Sequence, residues 1–459
     1  MSLATRSCSV FARQALLPEG WRRNVRLEMT DGVFSQIRPD ALMQPGDHCA
    51  DITLPAMPSL HSHAFQRAMA GLTETRQDAA DSFWTWREQM YALALRITPE
   101  TMRAIAAQLY VEMLKAGFTQ VAEFHYLHRA EDGTAYHHPA EMAQSVIAGA
   151  CDAGIGITML PTLYRHAGFD RPLAPEQRRF ESTPEFIASI MSDLDATYRK
   201  NDRISVGVGL HSLRAVNRED MIEMLSLAPA DVPVHIHIAE QQREVSDCVK
   251  ALGRRPVAWL LDEVAVDQRW CLVHATHLEV REVRRLAVSG GVAGLCPVTE
   301  ANLGDGLFPL QEFISAGGSF GIGTDSNVLP SANEELRLLE YGQRLMRQKR
   351  CCGLPDGEKG SVGRFLYDAA LQGGARACQQ GAAGLAVGQR ADLCTIDDCA
   401  LSLPDLEGDA ILDSLVFARP AFPVRDVLCA GDWVIRDGHH RHEDAISAAF
   451  RSAMRDLRS

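Results

Sequence analysis

The chain predicts an α/β fold: a (β/α)8 TIM-like barrel with a small β-sandwich domain built from both chain ends. Three observations carry this. Eight short apolar runs, at 54–60, 120–124, 156–160, 204–210, 234–238, 270–273, 291–295 and 319–322, alternate with longer amphipathic stretches, the signature of βα repetition and a parallel sheet. Strand-like segments bounded by turn residues lie before the first run and after the last. Histidines and an aspartate stand at the ends of several runs, where a βα barrel places its chemistry.

In chain order, short strands are expected at 9–12, 23–29 and 33–37, the last two joined by a turn at Thr30-Asp31-Gly32. Helices are expected at 99–116, 184–198, 218–227 and 280–289. The first begins with Thr98 as N-cap and Pro99 at the first helical position, and Gly117 supplies its stop. Beyond Asn333 helices run to about Ala383. Strands then return at 391–397, 414–417, 424–429 and 432–436, with a turn at Asp437-Gly438. The expected organisation is 1–53 as the N-terminal part of the β domain, 54–384 as the barrel and 385–459 as the C-terminal part of the β domain. The segment 72–91, with Trp84 and Trp86, reads equally as a mobile loop or a packed helix.

The 459 residues carry a formal charge of −13, with forty-one arginines and five lysines, which argues against a nucleic-acid partner. No leader with a long apolar core and no run of eighteen apolar residues is visible, so a soluble cytoplasmic protein without a membrane partner is expected. The twelve cysteines include no C-x-x-C pair, and Cys271, Cys296, Cys394 and Cys429 lie in apolar runs, as buried reduced thiols do. Adjacent Cys351 and Cys352 read as a surface loop.

Taking the run ends in turn, the first closes with His61 and His63, two residues apart. On a strand both imidazoles face one way, about 7 Å apart along it, and can share one ion. The fifth run, VHIHIAE, carries His235, His237 and Glu240; the sixth ends in His274; the eighth ends in Asp325. Three imidazoles and a carboxylate form an ordinary set for Zn²⁺, and Fe²⁺ or Mn²⁺ would accept it too. Periodicity leaves His235 and His237 open, because both face the same side. A second ion would need a bridging group such as a modified lysine from a middle strand. Between Ala64 and Val234 only Lys115 and Lys200 occur, neither in a strand, so one metal per chain is expected.

Two weaker patterns are set aside. His277-Leu278-Glu279 matches half of the cytidine-deaminase zinc signature, but no P-C-x-x-C follows. Gly207 and Gly209 begin a dinucleotide fingerprint that the chain does not complete.

With these residues in place the chain resembles the amidohydrolase superfamily, and within it the N-formimino-L-glutamate iminohydrolases (formimidoylglutamate deiminases). The motifs are SLHSHAFQRAMAG, DSFWTWREQMY, AEFHYLHR, GLHSLRAV, HIHIAEQ, LVHATH, CPVTEANLGDGLFP and GIGTDSN, and the likeness continues into GQRADLCTID and VRDVLCAGDWVIRDG. The resemblance implies hydrolysis of N-formimino-L-glutamate to N-formyl-L-glutamate and ammonia, in histidine degradation, at a single Zn²⁺. It implies His61, His63, His237 and Asp325 as metal ligands, choosing His237 through its H-x-x-E spacing to Glu240. Glu240, His274 and Asp325 are the implied catalytic groups. Gln66, Arg87, Tyr126, His211 and Arg214 are the implied substrate contacts, and two arginines suit a dicarboxylate because guanidinium groups bind carboxylates through paired hydrogen bonds. A homodimer is expected by analogy. Two rival readings are a deaminase of a heterocyclic base or nucleoside, against which Arg87 and Arg214 argue, and a noncatalytic barrel scaffold, which predicts missing ligands.

Overall fold

The computed structural model describes residues 7–75, 82–169, 171–380 and 383–458. Eight parallel strands ring the barrel: β1 (Met57–Ser62), β2 (Phe118–His125), β3 (Gly156–Leu163), β4 (Val208–Ser212), β5 (Val234–Ile238), β6 (Trp270–His274), β7 (Val292–Leu295) and β8 (Ser319–Ile322). Ladders join each to the next. Between β8 and β1 there is a single parallel bridge, Ser62 to Asp325, with the amides of Thr324 and Asp325 both donating to the His61 carbonyl at 3.0 Å and the His63 amide donating to the Asp325 carbonyl at 2.9 Å. Close approach at this seam requires glycine at 323. A Cβ there would stand 2.8 Å from the His61 Cβ and 2.9 Å from its nitrogen.

The 204–210 run is split. Its first half, Ile204–Val206, pairs only with β3, and β4 begins after Gly207. Of the predicted helices, Pro184–Tyr198, Arg218–Leu227 and Val280–Ser289 appear with the expected limits, and Pro99–Lys115 carries the Thr98 cap with a reciprocal Thr101 bond. The 414–417 strand is a correction. These residues end a helix, Asp409–Phe417, because the apolar run continues the spacing of Ile411, Leu412, Leu415 and Val416, which buries one helical face.

Both chain ends contribute to a second sheet, ordered His439–His440, Asp432–Arg436, Val424–Cys429, Leu393–Ile396, His48–Pro55, Ser7–Leu17, Gly20–Thr30 and Val33–Arg38. It has its own small core around Val10, Val25, Leu27, Phe34 and Leu393. The 54–60 run is therefore shared. His48–Pro55 belongs to this sheet and β1 starts after Ala56. A C-terminal helix, Glu443–Arg458, lies against Pro99–Lys115, with Lys115 paired to Glu443 at 2.5 Å. All twelve cysteines are unpaired; Cys271, Cys296, Cys394 and Cys429 are buried, Cys351 is exposed and Cys352 buried. Among the described residues no helix is long and apolar enough to cross a membrane.

Of the segment 72–91, residues 76–81 lie outside the described residues. Its remainder ends in a helix, Phe83–Ala94, capped by Ser82, which lies over the C-terminal mouth of the barrel.

Candidate metal centre and cavity

At the C-terminal ends of β1, β5 and β8, His61, His63, His237 and Asp325 turn one donor atom each toward a common point, all within 4.8 Å of one another. The His61 Nε2 lies 3.2 Å from the His63 Nε2, 2.9 Å from the His237 Nε2 and 3.5 Å from Asp325 Oδ1, and the His63 Nε2 is 3.4 Å from that oxygen. Donors set tetrahedrally about 2.0–2.1 Å from a shared centre stand about 3.3 Å apart, so these edges fit one small cation. The chemistry of the set agrees. His63 donates its Nδ1 proton to the Phe124 carbonyl at 2.9 Å, which leaves the Nε2 lone pair free. Burial lowers the pKa of His61, His63 and His237, keeping the rings neutral. Burial pushes the Asp325 carboxyl up, but His61, His274 and His63 more than offset it and hold the group ionised.

His235 is not part of the set. It sits two residues deeper along β5, where its Nε2 donates to the Ala377 carbonyl at 2.9 Å. The backbone around the donors is unusual: Ala239, His274, Ala275, Asp325 and Asn327 all have positive φ, 46° to 66°. Non-glycine residues held in this region mark sites whose surroundings over-determine them. Asn327 secures the last turn by donating to the carbonyls of His63, at 3.0 Å, and Asp325, at 2.9 Å.

Beside the donors, His274 is surrounded by carboxylates. Its Nε2 is 3.7 Å from both Glu240 Oε1 and Asp325 Oδ2, and its Nδ1 is 3.3 Å from Glu300 Oε1. Burial would lower the His274 pKa, yet Glu240, Glu300 and Asp325 raise it well above the usual range and hold it as imidazolium. Burial pushes the Glu240 carboxyl up, with His274 and Arg214 opposing. Asp305, which accepts from Gln241, is driven up by burial and by Glu240.

A narrow cavity opens onto the donors, and Gln66, Arg87, Tyr126, His211, Arg214, Glu240, His274 and Asp325 all line it. Gln66 donates to the Tyr126 hydroxyl at 3.0 Å, while its own carbonyl oxygen is buried without a partner. Arg214 is 7% exposed, and its Nη2 and Nε stand 3.9 Å from Glu240 and 3.8 Å from Glu244, too far for direct hydrogen bonds. It keeps donors available to a ligand. The His211 ring lies against Tyr164 with centroids 4.3 Å apart.

The structure adds wall residues that reading only strand ends misses. Phe83, Trp86, Met90 and Tyr91 come from the helix over the mouth, and Gln177 fixes Tyr91 and Tyr164 by donating to their hydroxyls at 3.1 and 2.6 Å. Glu300 follows β7 on the short helix Pro297–Leu303 and also accepts from the Cys296 amide at 2.9 Å. Tyr164 directly follows β3, so the strand-end rule could have found it. Glu300, four residues into a helix, gave no such signal.

Comparison with known proteins agrees with this architecture. Residues 52–434 match the Amidohydrolase family, and residues 8–51 match "Formimidoylglutamate deiminase HutF, N-terminal domain". A formimidoylglutamate deiminase of Pseudomonas aeruginosa is 52% identical over 451 residues, covering 98% of this chain and 99% of that protein. A 5-methylthioadenosine/S-adenosylhomocysteine deaminase of Natronomonas pharaonis is 27% identical, covering 96% of this chain and 95% of its own. Among solved structures, an amidohydrolase from Brucella melitensis superposes with a TM-score of 0.95 at 46% identity, covering 98% of this chain and 100% of that one.

Proposed function

The chain belongs to the amidohydrolase family, and on that premise we propose that it is a formimidoylglutamate deiminase, hydrolysing N-formimino-L-glutamate to N-formyl-L-glutamate and ammonia in histidine degradation. The observation that carries the substrate is the presence of Arg87 and Arg214 in the cavity that opens onto the donor set. A linear amidine with two carboxylates suits those guanidiniums. A heterocyclic base would leave them without partners in a partly desolvated site.

A divalent cation held by the Nε2 atoms of His61, His63 and His237 and by one oxygen of Asp325 supplies, when bound, the Lewis acidity that brings the pKa of water from 15.7 to about 7. The chain's own groups do the rest. Asp325 accepts the proton of the attacking water on Oδ2, the oxygen that faces His274. His274, its Nδ1 proton directed at Glu300, points Nε2–H at the oxygen on which negative charge grows as water adds to the formimino carbon. Glu240, ionised while it pairs with the cationic formimino group, takes the remaining proton of the added hydroxyl as the formyl carbonyl forms and delivers it to the departing nitrogen, so that ammonia leaves rather than amide ion. Arg214 and Arg87 hold the two carboxylates. Gln66, Tyr126 and His211 border the space between anchor and reacting carbon and fix the substrate's reach.

Zinc as the ion, a cytoplasmic setting and a homodimer that binds neither nucleic acid nor membrane are the finer parts of this proposal. Three nitrogens and one oxygen as donors support the first. Twelve unpaired cysteines support the second. The family resemblance supports the dimer, and the net charge of −13 supports the absence of nucleic acid.

The test is ammonia release from N-formimino-L-glutamate with metal content measured in parallel. Chelation should abolish the release and about one equivalent of Zn²⁺ should restore it. Metal-replete protein that ignores this substrate but deaminates a purine or pyrimidine would overturn the substrate and leave the family intact.

A further inference from the structure

Trp84, second residue of the helix Phe83–Ala94, gathers three guanidinium groups. Arg87 Cζ lies 4.6 Å from the ring centroid, Arg243 Cζ 4.5 Å and Arg214 Cζ 5.9 Å. Each is within the roughly 6 Å over which a cation is drawn to the face of an indole. The three arginines come from different parts of the chain: Arg87 from the same helix, Arg214 from the loop after β4, and Arg243 from the second position of the helix Gln242–Leu252 after β5. Arg87 and Arg214 line the cavity. Trp84 and Arg243 stand just outside it, with the Arg243 side chain 59% exposed and Asp247, at 3.7 Å, as its carboxylate neighbour.

Arg243 has the wrong sign for its place in a helix. The first turn carries partial positive charge and favours anions, so a cation there works against helix stability. The wider field is also adverse to an anionic ligand, because the chain carries a formal −13. A cluster of cations at the mouth answers that second problem and accounts for the first.

We propose that Trp84 assembles a cationic rim from Arg87, Arg214 and Arg243, and that Arg243 is a specificity-determining residue that draws dicarboxylate substrates to the mouth before the two cavity arginines take the carboxylates. This rests on the deiminase reading above. No bond changes at the rim, so its effect belongs to encounter and is screened by salt.

The experiment measures kcat and kcat/KM for N-formimino-L-glutamate at low salt and at about 1 M salt, where the Debye length falls to about 3 Å. It also measures N-formimino-L-norvaline, which lacks the side-chain carboxylate. Arg243→Gln should lower kcat/KM about five-fold at low salt with kcat unchanged, and the difference should fall below about two-fold at high salt. The loss should be smaller for the norvaline compound. Arg243→Lys, which keeps the charge, should retain most of the parent value, and Trp84→Leu should reproduce the loss. Arg22→Gln, the same charge change on an exposed arginine of the β domain, should do nothing. An Arg243→Gln protein equal to the parent at low salt, or one whose loss lies in kcat and ignores salt, overturns the rim while the deiminase reading stands. A parent that releases no ammonia from N-formimino-L-glutamate takes both down.

Discussion

His211 and His274 face the same cavity from the two sides of β5, and their surroundings push them in opposite directions. Burial lowers the pKa of both. On His211 the nearby Arg214 adds to that effect and the ring stays neutral; on His274 the carboxylates Glu240, Glu300 and Asp325 reverse it. One wall is built of cations and phenols, Arg87, Arg214, Tyr126 and Tyr164, and the other of carboxylates around one imidazolium. The difference shows that desolvation pushes both rings toward the neutral form, and that a surrounding set of carboxylates can outweigh it. It also gives the cavity a direction. A ligand with a cationic amidine at one end and a carboxylate reaching away from it fits one way round.

Substitutions should affect the two walls differently. The largest effect should come from the acidic wall: Glu240→Gln should reduce kcat by about 10²- to 10⁴-fold, the range of a lost proton-transfer group, as steady-state ammonia release will show. Next comes the cationic wall. Arg214→Met should cost about 100-fold in kcat/KM, expressed mainly in KM, as for loss of one partner of a buried charge pair. If that variant keeps the parent kcat/KM, the carboxylate-anchor role is wrong and the two walls do not divide binding from chemistry. Smaller still, Glu300→Gln should slow kcat about ten-fold while thermal denaturation stays close to the parent, because the amide can still accept from Cys296 but no longer stabilises imidazolium at 274. Tyr126→Phe should cost only about three- to ten-fold in kcat/KM, the worth of one neutral hydrogen bond in a partly dry site, measured on the same substrate.

Much of this was legible because a barrel brings its strand ends to one face. His61, His63, His274 and Asp325 each close an apolar run, and the fold does the rest. What strand periodicity could not decide was depth. His235 and His237 share a face, but His235 is in register with Cys271 and His237 with Val273, one step nearer the mouth. Only the resemblance, through Glu240, separated them. Helix limits were readable where caps are strong, as at Thr98-Pro99, and failed at 414–417, where four apolar residues look alike in a strand and in the last turn of a helix. Glu300 and the aromatic wall escaped notice for another reason. They reach the cavity from connecting helices, so their placement depends on tertiary packing, which no local pattern encodes.

The barrel seam has a consequence for biosynthesis. The donor set straddles the junction of the ring that is held by a single bridge, with His61 on the first strand, His63 just after it and Asp325 just beyond the last. A ribosome releases these groups in order, so an ion arriving early meets imidazoles with no carboxylate to complete the set. Metal uptake at four donors must therefore wait until the eighth strand has emerged and the ring has shut, and a nascent chain truncated before residue 325 should not hold its ion as the finished protein does.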